Sequence, residues 1–106
     1  MKCRCFSQTL GKALVQSGYS NEQVRGLVKV GLRQFTDWEH GVRIPEHVDV
    51  YNLAVALNVP YQYLCLVALL DISPEEGVEA IVETILLLGW PVPEGVEQRL
   101  PTWQRT

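Results

Sequence analysis

Apolar positions recur along most of the chain three and four residues apart, the spacing of one helix face, and nowhere in convincing alternation. The stretch from Ser20 to Gly41, SNEQVRGLVKVGLRQFTDWEHG, carries the clearest pattern. Val24, Leu27 and Val28 mark the buried face of one short helix, and Phe35 and Trp38 that of a second. Ser20 is a good N-cap with Gln23 placed to complete a capping box, so the first of these helices starts near Asn21. Lys29-Val30-Gly31 interrupts the pattern. Val30 reads as an apolar plug and Gly31 as the permissive residue before a new first turn, so the second helix starts near Leu32.

The rest of the pattern predicts helices that hold this pair. One is expected from about Ser7 or Gln8 to Ser17, with Phe6 or Leu10, Ala13, Leu14 and, as a further candidate, Val15 facing inward; Gly18 ends it in a left-handed cap. After the loop His40 to Pro45, Val50, Leu53, Ala54 and Leu57 form a core-facing stripe closed by Asn58. Pro60 suits the first position of the next helix. There Tyr63, Leu64, Val67 and Ala68 point inward, yet Leu66, Leu69 and Leu70 make it apolar on nearly all sides, so something must cover it. The last third supplies the cover. In Asp71-Ile72-Ser73-Pro74-Glu75-Glu76, Ser73 is the expected N-cap, Pro74 the first position and Glu76 the far end of a capping box. A helix to Leu88 then carries Val78, Ile81, Val82, Ile85, Leu86 and Leu88 on one broad face, against the previous helix, a second subunit or both. Gly89 and Pro91 stop it, and Val92, Val96, Leu100 and Trp103 suggest an extended strap. The expectation is an all-α chain of five helices with an additional C-terminal helix and extended tail, divided into residues 1–70 and an interaction-prone extension, 71–106.

Several positions also match a known pattern. Gly18 and Ser20 precede the first helix of the pair, and Trp38-Glu39 lies eighteen residues after Ser20 without a gap. Gly41 closes the second helix, Pro45 precedes the next, and Leu53-Ala54-x-Ala56-Leu57-Asn58-Val59 lies within it. Over roughly residues 8–70 the chain resembles the lambda-repressor-like (Cro/XRE-type) helix-turn-helix domains. The resemblance implies double-stranded DNA as partner, with the helix led by Leu32 in the major groove and a homodimer addressing two half-sites. Base edges would then be read by Leu32, Arg33, Gln34, Thr36 and Asp37, and phosphates held by Asn21, Lys29, His40 and Arg43. Arg33 is the best candidate, since a guanidinium bonds both acceptors of a guanine edge. In the family the position of Asn21 commonly holds Gln, and the glutamate after the aromatic often pairs with an arginine on the first helix. Here Leu14 occupies that place, so Glu39 is expected to find Lys12, Arg43 or water.

Composition sharpens the choice. The chain has 106 residues, 47% apolar and 20% charged, which suits a single globular unit. Residues 1–70 carry seven Lys/Arg against five acids and residues 71–106 two against seven, so the net charge of −3 arises in the last third. The reading half is only mildly basic for a nucleic-acid binder. Together with Leu32 and Asp37, this acidity favours a second expectation: an adaptor or antagonist that keeps the fold but binds another protein, with the acidic C-terminal region as a possible partner site. Val78, Ile81, Val82, Ile85 and Leu86 are the expected dimer or partner interface. No apolar run reaches membrane-spanning length, and MKCRCFSQTL lacks a signal-peptide core, so a cytoplasmic location is expected. Cys3, Cys5 and Cys65 read as reduced thiols. No catalytic constellation, metal set or cofactor motif is found, so catalysis is not expected.

Overall fold

The computed structural model describes residues 4–100. Cys3 and the strap residue Trp103 lie outside that range. The apolar periodicity becomes seven helices among the described residues and no strand: α1 (Arg4–Ser17), α2 (Asn21–Val28), α3 (Leu32–Glu39), α4 (His47–Leu57), α5 (Tyr61–Ile72), α6 (Glu75–Leu87) and α7 (Val96–Arg99). α1 packs on α3 and α5, and α4 packs on α2 and α5. Those three longer helices thus form the cradle for the α2–α3 pair, and α6 covers α5. A single core runs from Cys5 and Phe6 through Phe35, Trp38 and Leu53 to Val82, Ile85 and Val96.

Local chemistry sets the boundaries. At the start of α2 the Gln23 amide donates to Ser20 Oγ at 3.1 Å, and the Ser20 amide donates to Gln23 Oε1 at 2.8 Å. That is the expected capping box. Gly18 takes the left-handed conformation, φ 76°, at the end of α1. Asn58 does the same for α4, φ 57°. Val30 is half-buried against the core, as an apolar plug should be.

Other expectations need correction. The left-handed residue in the α2–α3 turn is Lys29 (φ 59°), while Gly31 is extended (φ −75°, ψ 163°). α1 begins three residues ahead of Ser7 because a partner remote in sequence caps it, as described below. Ser73 does not cap α6: it closes α5, and α6 starts after Pro74 without a side-chain cap. Leu27 is 55% exposed and Val15 83%. Val24 and Val28 are the buried residues of α2, which packs on α4.

The broad face of α6 also divides. Val78, Val82 and Ile85 are buried in the chain's own core, Ile81 is half-buried, and Leu86, Leu87 and Leu88 are exposed. One neighbouring helix covers a narrow stripe, met here by positions i, i+4 and i+7, and leaves wider positions wet. Val78, Val82 and Ile85 are therefore taken up by the chain's own core, which leaves Ile81 and Leu86 as the accessible members of the expected interface. The strap is irregular only to Gly95 and then forms the short α7. It is tied down by Tyr63 Oη donating to the Pro91 carbonyl at 2.8 Å and by a Lys12–Glu94 ion pair at 3.6 Å.

Candidate functional site

α3 is anchored on one side and open on the other. Phe35 and Trp38 are buried, with ring centroids 6.0 Å apart, and fix the helix against the body. On the opposite side Leu32 is 61% exposed, Arg33 and Gln34 are exposed, and Thr36 and Asp37 are half-buried. Arg33, Gln34, Asp37 and Arg43 line one shallow concavity of about 520 Å³, walled beyond α3 by Ile44, Pro45 and Glu46. Leu32 and Thr36 do not line it. The proposed phosphate residues Asn21, Lys29, His40 and Arg43 are all exposed around the pair.

The charges on this surface are nearly balanced. Arg43 Nε lies 3.5 Å from Asp37 Oδ2, so the second cation beside the concavity is neutralised by a neighbour on α3. The turn that brings them together is set by the Asp37 carbonyl, which accepts from the amides of Val42 (2.9 Å) and Arg43 (3.4 Å). Among the described residues Arg33 has no ion-pair partner. Arg25 on α2 is half-buried, with its Nε buried and without a hydrogen-bond partner. Asn21 Nδ2 donates to Glu39 Oε2 at 2.7 Å. This corrects the partner expected for Glu39, and it holds the Asn21 side chain toward α3.

The residues that sequence reasoning missed lie behind the site. Asp71, on the last turn of α5, is the one buried charged side chain among the described residues. Its Oδ1 accepts from the Cys5 amide at 3.0 Å and its Oδ2 from the Phe6 amide at 2.8 Å, capping α1 from 65 and 66 residues away. Arg99 on α7 donates from Nη1 to the Leu70 and Asp71 carbonyls, both at 2.8 Å, and from Nη2 to the Ser73 carbonyl. It satisfies the C-terminal carbonyls of α5 with a positive charge. Burial pushes the Asp71 carboxyl above its ordinary value, against its amide bonds and Arg99. Burial and then the Asp71 charge push the Cys5 thiol up to about 12. Cys5 is thus an inert core thiol. Asp71 followed by Ser73-Pro74 looks in sequence like a local helix start, and nothing local signals a bond across 65 residues.

No family model, curated protein or solved structure matches the chain. Among the described residues no helix is long and apolar enough to cross a membrane, and no three His, Cys, Asp or Glu side chains gather as a metal site.

Proposed function

We propose that the chain is a lambda-repressor-like regulator that binds double-stranded DNA in a sequence-dependent way, with α3 entering the major groove. The observation that carries this reading is the two-sidedness of α3: Phe35 and Trp38 lock it to the core while Leu32, Arg33 and Gln34 stand clear at its N-terminal end. A short helix held in this way with polar, forked side chains forward is what a major groove admits. Arg33 reads a guanine, Gln34 an adenine, and Lys29, His40 and Asn21 meet phosphates. Repression of a short operator in the cytoplasm is the role we assign it, without catalysis or cofactor. Selection of bound sequences from a random duplex pool tests this reading directly. The expected result is a short enriched motif, with Arg33→Ala relaxing preference at one position at a cost of about 1–3 kcal/mol. An unenriched pool contradicts the reading.

One observation favours an adaptor instead. The Asp37–Arg43 pair removes a cation from the surface where a duplex needs one. Under that reading Leu32 and Leu27, both more than half exposed, form a protein contact. Asp37→Ala separates the two: it strengthens binding to a duplex by freeing Arg43, and gives a protein partner no such gain.

A further inference from the structure

The side of α6 turned away from α5 has a pattern of its own. Glu76, Glu79, Ala80, Glu83, Leu86 and Leu87 recur at i, i+3, i+4, i+7, i+10 and i+11, which is one helical stripe, and all six are exposed. The stripe lies opposite Val78, Val82 and Ile85, which α6 buries in the core. It is acidic over its first two turns and apolar over its last, where Leu86 and Leu87 are 49 and 88% exposed. Glu75 adds a carboxylate at its edge, and α6 holds no Lys or Arg. Among the described residues none of these four glutamates has an ion-pair partner, and no three acidic side chains gather to hold a metal ion. Glu79 stands one turn from both Glu75 and Glu83, a spacing at which like charges work against the helix.

We infer that this stripe docks a basic amphipathic helix of another protein, one with Lys or Arg on successive turns and an apolar side chain beyond them. Charge selects the occupant. A second copy paired symmetrically here would set carboxylates against carboxylates, and a phosphate backbone or an anionic membrane surface is repelled. A basic helix instead relieves the repulsion within α6. Leu86 and Leu87 add what charge alone does not give, a place to bury an apolar side chain at one end, and so fix which way the partner runs. Turns of two helices share a rise of about 5.4 Å, so cations three and four residues apart on the partner meet carboxylates spaced likewise on α6. α6 packs on α5 and α3 packs on α1, so docking here does not depend on what α3 reads.

Fluorescence anisotropy on the full chain tests the assignment. The probe is a labelled, end-capped alanine-based helix of about 18 residues, with lysines one turn apart and leucines beyond them on the same face. A control peptide of the same composition carries its leucines on the opposite face. The first peptide should bind with a dissociation constant below about 50 µM at low salt, and the control at least about fivefold more weakly. Glu79→Lys with Glu83→Lys should weaken the first peptide at least about tenfold, and Leu87→Ser at least about threefold, with helical circular dichroism unchanged. The doubly reversed chain should in turn bind a peptide with glutamates in place of the lysines. If that chain loses its helical signal, Glu79→Gln with Glu83→Gln replaces it, and weaker binding of the lysine peptide is again expected. No binding up to about 200 µM, equal affinity for the two peptides, or an affinity indifferent to the glutamate changes overturns the assignment. A wild type that self-associates in sedimentation equilibrium and becomes monomeric on Leu87→Ser gives the stripe to a second copy and overturns it too. Arg33→Ala should leave peptide binding unchanged, so failure of this surface and failure of DNA reading are separable.

Discussion

Asp71 and Lys29 are the two residues at which the fold departs most from what local sequence dictates. Asp71 satisfies two amides at the start of α1, and Asp71→Ala leaves both buried without partners, at about 1–3 kcal/mol each in the usual range. Chemical denaturation gives that loss directly. The carboxyl is held above its ordinary value by burial, so the fold binds its proton more tightly than the unfolded chain does. Such a group contributes fully below the unfolded pKa and loses its contribution as pH rises through the folded one. The wild type should therefore gain stability relative to Asp71→Asn between neutral pH and about pH 4. A gap that is constant over that window contradicts burial as the dominant influence. Lys29 sits at φ 59°, where a Cβ costs roughly 1–2 kcal/mol. Lys29→Gly should raise the urea midpoint by about 1 kcal/mol of stability and, under the proposed function, weaken duplex binding at the same time. One substitution thereby separates fold from contact.

At the scale of elements, what was legible in the sequence follows from how local each signal is. The α2 capping box, the left-handed ends at Gly18 and Asn58, and the anchors Phe35 and Trp38 all depend on residues within one or two turns, and each stands where periodicity puts it. The start of α1 depends on a carboxylate 65 residues away, so spacing alone placed it late. The α6 face depends on how many neighbours the helix has. Six apolar positions are visible, but only the stripe facing α5 is covered, which leaves Leu86 and Leu88 at 49 and 53% exposure, and Leu87, outside the expected face, is exposed at 88%. Thermal or urea unfolding should register that difference. Leu87→Lys should stay within about 0.5 kcal/mol of the wild type. Val82→Ala should cost roughly 1–3 kcal/mol through the cavity it leaves. Of the candidate site, the exposed side of α3 was readable from its amphipathic spacing. The Asp37–Arg43 and Asn21–Glu39 pairs were not, because both depend on how the turns fold back.

For the whole molecule, the arrangement is a helical body that spends its apolar faces unequally. α1, α4 and α5 close the core behind α2 and α3, the strap and α7 pin the ends of α1 and α5 together through Asp71 and Arg99, and Val48, Tyr51, Val55, Leu69 and Ile72 stay exposed on the outer face of α4 and α5. The forward end of α3 is uncovered by any of these elements, and Arg33 is its unneutralised cation. Glu75, Glu76, Glu79 and Glu83 lie on α6, whereas Glu22, Asp37 and Glu39 lie on the α2–α3 pair itself and Glu46 walls the concavity beside it. The most direct measurement is the affinity of the purified chain for duplex DNA across a salt series beginning near 50 mM. A DNA-reading α3 predicts binding at low salt, a linear fall of log affinity with log salt amounting to several phosphate contacts, and a slope reduced by about one on Lys29→Ala. Absence of binding at the lowest salt, or an affinity indifferent to salt, contradicts it.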